Sequence, residues 1–309
     1  MDSLNSNSIG WNFLNPALEG ASAEERIVIP HKNIKGVLLM SKIIIEDKIV
    51  NGIPIISMFQ EGLLNCPLVF YIHGYGADCE QAMDFGYMLA KKGFYYISMD
   101  CKGHGQRKPE NDCNKFSEVF PPDTGLDIYV HMHEVIEQSA IDIQTLIKYF
   151  EGRDEIDLNK IGISGFSMGG YASFYIAANN PDIKVAVPIA GKPAFTKAWK
   201  DCILSTNTYE QWSKQIQEAE GEIDKRTEYF QMIDPFEKLS SFSPRPLLII
   251  NGDQDTDSPY IYSLELYKKL LPVYSKHPEN LQLSMPFVNH QFNYSMKLEA
   301  CNWFEKYLI

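Results

Sequence analysis

Gly165-Phe166-Ser167-Met168-Gly169 stands between an apolar run and a helix-forming run, and that placement constrains the fold more than any other stretch of the chain. Lys160-Ile161-Gly162-Ile163-Ser164 predicts a short buried strand, and residues 169–178, small and apolar, predict a helix. A strand that turns straight into a helix is part of a βαβ unit, so its surroundings should form a parallel sheet with helices on its faces. The glycines on either side of Ser167 allow a sharp turn, because they remove side chains that would strike the neighbouring strand and helix. With Gly and Ser at about 7% each, a chain of this length should contain roughly 0.1 such pentapeptides by chance.

The rest of the chain alternates accordingly. Residues 36–46 and 48–58 predict two strands around Asn51-Gly52, a strong hairpin signal. Leu68-Val69-Phe70-Tyr71-Ile72 is a continuous apolar run of the kind found in a buried parallel strand. A helix over 80–92 closed by Gly93, a strand over 94–99, a long loop over 101–130 and a helix over 131–151 follow. After the Ser167 turn come strands at 185–190, 247–251 and 281–288 and a closing helix at 293–308. The expected fold class is therefore α/β, a mostly parallel central sheet opened by an antiparallel hairpin, with helices on both faces. Residues 192–245 interrupt the alternation with mainly helical, charged sequence punctuated by Trp199, Leu204, Trp212, Ile216, Tyr229 and Phe230. Too few apolar residues lie there for an independent core, so the segment reads as a helical cap on the main domain. Residues 1–30 read as an N-terminal extension and 31–309 as the main domain with its cap insertion.

A serine pushed out of the sheet on such a turn has the arrangement of the nucleophile elbow of a serine hydrolase. The helix N-terminus behind it offers backbone N–H groups and a positive dipole end to a developing oxyanion. Serine is a weak nucleophile near neutral pH and needs a histidine base oriented by a carboxylate. Two histidines follow Ser167. His277 precedes a proline in a polar loop and reads as a surface residue. His290 stands directly after the last expected strand, where a loop reaches back to the elbow. The strand over 247–251 leads into Asp253, Asp255 and Asp257, three candidates for the acid. For the oxyanion hole, His73-Gly74-Tyr75-Gly76 follows the strand ending at Ile72, so the Tyr75 and Met168 N–H groups are the expected donors. Each such donor is typically worth about 2.7–4 kcal/mol in the transition state. His73 reads as a residue that holds this loop by hydrogen bonds.

Composition narrows the partners. A net charge of -12 argues against binding a nucleic-acid backbone, which requires clustered Lys and Arg. The first residues, Met1 to Ser8, lack the basic and apolar regions of a signal peptide, and no apolar run approaches the ~20 residues of a membrane span. The six cysteines are scattered, as expected of reduced thiols in a cytoplasmic protein. His131-Met132-His133 with Glu134 reads as exposed residues at a helix start, and neither a metal nor a cofactor is expected. Tyr129, Phe166, Trp199 and Trp212 are the candidate lining residues of a substrate pocket. The expected partner is a small acyl ester, with no nucleic acid and no membrane. A homodimer stays open.

Taken together, His73-Gly74-Tyr75-Gly76, Asp100-Cys101-Lys102-Gly103-His104-Gly105 with Arg107, the Gly165–Gly169 turn, Gly252-x-x-Asp255-x-x-x-Pro259 and His290 resemble the α/β-hydrolase superfamily. Within it they resemble the dienelactone-hydrolase-like and prolyl-oligopeptidase-like small carboxylesterases. The resemblance spans residues 68–292 and implies that Asp255, ahead of Asp253 and Asp257, is the triad acid. It implies an acyl-enzyme mechanism on an ester, with thioester hydrolysis, acyl transfer and amide cleavage as alternatives on the same residues. A non-catalytic ligand-binding protein on the same fold is the alternative from a different class. Residues 1–30, 105–130 apart from Gly105 and Arg107, and 192–245 carry none of the motifs.

Overall fold

In the computed structural model, the described residues are 26–30, 42–109, 120, 125–207, 214 and 216–309. Nine strands form one sheet: β1 (Arg26–Pro30), β2 (Lys42–Val50), β3 (Ile53–Gln60), β4 (Cys66–Ile72), β5 (Tyr95–Met99), β6 (Ile156–Phe166), β7 (Ile183–Ile189), β8 (Leu247–Ile250) and β9 (Leu281–Ser284). Their order is β1-β2-β3-β5-β4-β6-β7-β8-β9. The first four in that order pair antiparallel, and from β5 to β9 every pairing is parallel. This is the α/β-hydrolase architecture expected from the alternation.

All seven residues of β4 are buried, which is why its sequence is apolar without interruption. Leu68, Phe70 and Ile72 enter one apolar layer, and Val69 and Tyr71 enter the other. Helices α1 (Met83–Lys91) and α7 (Tyr294–Leu308) cover the second layer. The first is covered by α2 (Leu126–Phe150), α3 (Met168–Asn179), α4 (Phe195–Asn207), α5 (Glu220–Ile233) and α6 (Ile261–Leu270). Among the described residues no helix is long and apolar enough to cross a membrane.

Several boundaries differ from the sequence reading. The hairpin turns at Asn51-Gly52, both with positive φ, but its first strand runs to Val50, and residues 36–41 lie outside the described residues. Arg26–Pro30, inside the segment read as an extension, pairs with β2 and forms the sheet edge. Helix α2 begins at Leu126, inside the stretch read as a loop, because Gly125 (φ 75°) starts it. Helix α6 was not anticipated at all. Its apolar side chains Tyr262, Leu266 and Leu270 are buried at helical spacing. Strand β9 stops at Ser284, two residues before Pro286.

The segment after β7 is helical in its described parts, and its core residues Phe195, Trp199 and Phe230 belong to the same apolar layer as α2 and α3. It therefore packs onto the main domain.

Candidate active site

Ser167 sits between the end of β6 and the start of α3 at φ 55° and ψ -117°, a strained conformation that costs on the order of 1–3 kcal/mol. Two glycines make the turn feasible. A Cβ at Gly165 would strike the Gly169 carbonyl, and a Cβ at Gly169 would strike the Ile72 carbonyl of the neighbouring strand. No side chain fits at either position. The Ser167 N–H donates to Ile189 O at 3.0 Å, which ties the turn to β7.

The loop after β9 brings His290 to the serine. His290 Nε2 lies 2.9 Å from Ser167 Oγ, and Nδ1 lies 2.8 Å from Asp255 Oδ2. The second Asp255 oxygen accepts from the Ser258 N–H at 2.7 Å and the Asp257 N–H at 3.0 Å. Asp255 is buried, so its carboxylate meets donors rather than water. Asp253 and Asp257 stand apart from the imidazole. Asp253 Oδ1 is buried without a hydrogen-bond partner, and Asp257 is exposed. Geometry thus selects one of the three carboxylates. His277 pairs with Glu279 at 3.7 Å on the surface.

The loop after β4 approaches from the other side. Gly74 lies so close to the serine that a Cβ there would sit 3.5 Å from Ser167 Cβ. Gly74 O accepts from the Ala77 N–H at 3.1 Å, closing a turn with Gly76 at φ 80°. His73 Nδ1–H also donates to Gly74 O at 2.8 Å, while its Nε2 accepts from the Cys101 N–H at 3.0 Å. That pattern requires the neutral ring. Burial supplies it, pushing the His73 pKa down to about 4. A peptide is planar, so the two donors on the Gly74 carbonyl also restrain the Tyr75 N–H, without fixing it fully. Met168 opens α3, where a first-turn N–H has no partner within the helix.

Asp100 and Arg107 brace this loop from behind. The Asp100 carboxylate accepts from the N–H groups of Cys79 and Gln106 at 2.9 and 2.7 Å, and a Cβ at Gly105 would strike it. Arg107 donates to Asp100 O at 3.1 Å and pairs with Asp142 on α2 at 2.5 Å.

The candidate pocket residues fare differently. Phe166 is half-buried and lies against the His290 ring, with centroids 4.8 Å apart. Tyr129 is buried and donates to Phe195 O at 2.8 Å. Trp199 is fully buried and donates to Thr227 Oγ1 at 3.0 Å. Tyr129 and Trp199 stack 5.9 Å apart and both meet Phe230, so in this structure they join helices. Trp212 lies outside the described residues. His133, read as exposed, is fully buried: α2 begins one turn earlier than expected and turns that position inward. Its ring packs on Tyr129, Phe195 and Phe230, Nδ1–H donates to Tyr129 O at 2.7 Å, and burial pushes its pKa down to about 3. His131 remains exposed. A cavity of about 540 Å³, lined by Glu46, Lys48, Phe59, Tyr95, Tyr149 and Arg153 among others, lies toward the opposite ends of the strands, with none of the Ser167 site in its walls.

Gln81 has no role in the sequence reading, and Phe292 reads there only as core of the closing helix. Gln81 Oε1 accepts from the Gly74 N–H at 2.7 Å and from Tyr71 OH at 3.3 Å. Phe292 stacks on both Phe166 and Tyr71. Neither residue belongs to a motif. Only its position near one, seven residues after Gly74 and two after His290, pointed to it.

Residues 133–308 match the model of the prolyl oligopeptidase family. The chain belongs to that family. It is 26% identical over 267 residues to the Bacillus subtilis (strain 168) protein named "Putative esterase YitV", covering 85% of this chain and 99% of that one. The fold is shared with an acetyl xylan esterase from Paenibacillus sp. R4 at a TM-score of 0.62 and 16% identity, over 93% of this chain and 90% of that chain. It is also shared with TT1662 from Thermus thermophilus at a TM-score of 0.63 and 16% identity, over 86% of this chain and 98% of that chain. The chain is thus an esterase-like hydrolase by family.

Proposed function

We propose that this chain is a cytoplasmic serine esterase that cleaves a small carboxylic ester through an acyl-enzyme on Ser167. One observation carries the reading: an unbroken hydrogen-bonded series from Ser167 Oγ through His290 to Asp255, on a strained elbow. His290 Nε2 takes the Ser167 proton as Oγ attacks the ester carbonyl, and Asp255 holds the tautomer and stabilises the imidazolium. The Tyr75 and Met168 N–H groups receive the oxyanion. His290 then returns the proton to the leaving alcohol, and a water molecule, deprotonated by the same nitrogen, releases the acid. The helical segment after β7 acts as the cap that shapes the pocket above the serine.

Ester rather than peptide cleavage is favoured because the YitV match covers nearly all of a relative whose name includes esterase. A fluorophosphonate probe followed by peptide mass mapping tests the nucleophile. A panel of nitrophenyl esters, thioesters and anilides tests the bond. Labelling on Ser167, with esters turned over fastest, is the expected result. A label elsewhere, or anilides cleaved faster than esters, overturns the proposal.

A further inference from the structure

The buried Gly74 has its N–H and its C=O held from two directions, and the two holders differ in kind. His73 and Ala77 hold the carbonyl; both belong to the loop itself. The N–H is held by a side chain from outside the turn, Gln81, at 2.7 Å. Because an N–H can only donate, the oxygen of the Gln81 carboxamide must face Gly74, which leaves its nitrogen on the side of the serine. A Cβ on Gly74 would lie 3.3 Å from that nitrogen and 3.5 Å from Ser167 Cβ. Gln81 is itself anchored: its own N–H donates to Asp78 O at 3.2 Å, and Tyr71 OH reaches its oxygen at 3.3 Å. Gln81 is otherwise exposed and packs into neither apolar layer.

We infer that Gln81 is a positioning residue for the oxyanion loop: its Oε1 clamps the Gly74 N–H and thereby sets the direction in which the Tyr75 N–H meets the substrate oxyanion. The inference rests on the Ser167 reading above. Two rigid peptide planes meet at the Gly74 Cα, one on each side. Fixing only the Gly74–Tyr75 plane leaves rotation about the glycine φ, which has no Cβ to restrain it. Clamping the preceding N–H removes that freedom. A donor acts on the transition state only when it is aimed at where the oxyanion will be, so a loosened loop costs turnover more than ground-state binding.

Gln81→Met removes the acceptor while keeping length and shape, and its exposed position makes folding tolerant of the change. The expected result is a kcat lower by roughly 10- to 100-fold with KM within about twofold. Affinity for a small alkyl boronic acid, which forms a tetrahedral adduct on the serine, should fall by the same factor. Tyr71→Phe, which loses only the longer bond to Gln81 and keeps the clamp on Gly74, should change kcat by less than about threefold. If Gln81 merely satisfies a buried N–H, Tm falls while kcat and boronate affinity hold, and the inference is overturned. A Tyr71→Phe loss equal to that of Gln81→Met overturns it as well. Wild-type protein that fails to label at Ser167 defeats the functional reading itself, a separate outcome read in the same set of measurements.

Discussion

The imidazole of His290 rests against the ring of Phe166, centroids 4.8 Å apart and planes inclined by 38°. Phe166 stacks on Phe292 at 6.4 Å, and Phe292 stacks on Tyr71 of β4 at 6.2 Å, both pairs within 11° of parallel. A ladder of rings thus links β4 to His290. If His290 is the base, this contact makes Phe166 a support for its ring. Phe166→Leu keeps apolar bulk but loses the flat face, so kcat on nitrophenyl esters should drop on the order of tenfold through imidazole misalignment. Preference among acyl chain lengths should not move. A shifted chain-length preference at unchanged kcat would restore the pocket role.

Ser167→Ala removes the attacking oxygen and leaves the elbow backbone in place. Ester turnover should fall by several orders of magnitude, because the three residues act as a unit, while thermal unfolding stays close to wild type. Retention of more than about a tenth of the activity would end the assignment.

The three aspartates of the loop after β8 separate cleanly in the geometry. Asp255→Asn presents an amide to His290 Nδ1 and favours the wrong tautomer, at a cost of ~10⁴-fold in kcat. Asp257 is exposed and lends only its backbone N–H to Asp255, so Asp257→Asn should be mild. Asp253→Asn should be mild too, since the Asp253 oxygen that is buried has no hydrogen bond to lose. Steady-state rates of the three variants decide the matter, and a severe Asp253 variant would refute the assignment.

The elbow and the histidine that meets it were legible because each depends on local sequence. Gly165 and Gly169 are dictated by backbone clashes within the turn, and His290 by its place after the last strand. Local residues alone offered three carboxylates for the acid, and the Gly252-x-x-Asp255-x-x-x-Pro259 resemblance picked Asp255, the one that meets the imidazole 35 residues away. The Phe166 contact joins elements distant in sequence, and the Gln81 contact is made by a single side chain onto a turn seven residues back, so neither leaves a periodicity to read. His133 shows the same limit. It lies on the buried stripe between Tyr129 and Ile136, but that stripe is hidden when the residues before 131 are read as a loop.

Buried neutral histidines make the fold acid-sensitive. Burial lowers His73 to about 4 and His133 to about 3, whereas an unfolded chain titrates near 6.5. The unfolded state therefore binds more protons below pH 6.5, so stability is full above that pH and is lost as pH falls toward 4 and then 3. His73 alone contributes on the order of 3 kcal/mol across its window. Urea midpoints measured from pH 7 to 4 should fall steeply in the wild type and less steeply in His133→Phe, which cannot titrate there. Equal slopes would show that His133 does not contribute.

Trp199 bears on how the cap is held. As a candidate pocket residue it is expected to bear on selectivity, but the side chain is fully enclosed, with Tyr129 stacked at 5.9 Å, Phe230 at 5.2 Å and its indole N–H on Thr227. Tyr129 comes from α2 of the main domain, and Phe230 and Thr227 come from α5, so the tryptophan is a bolt through three helices. Truncation to alanine empties that volume and leaves Thr227 without its donor. Trp199→Ala should lower stability by about 3–5 kcal/mol, visible as a large fall in Tm. Below the melting transition, relative rates across small and bulky esters should remain as in the wild type, because no enclosed surface can sort substrates. A change in those ratios with little loss of Tm would mean that the cap opens in solution and presents this ring to the substrate.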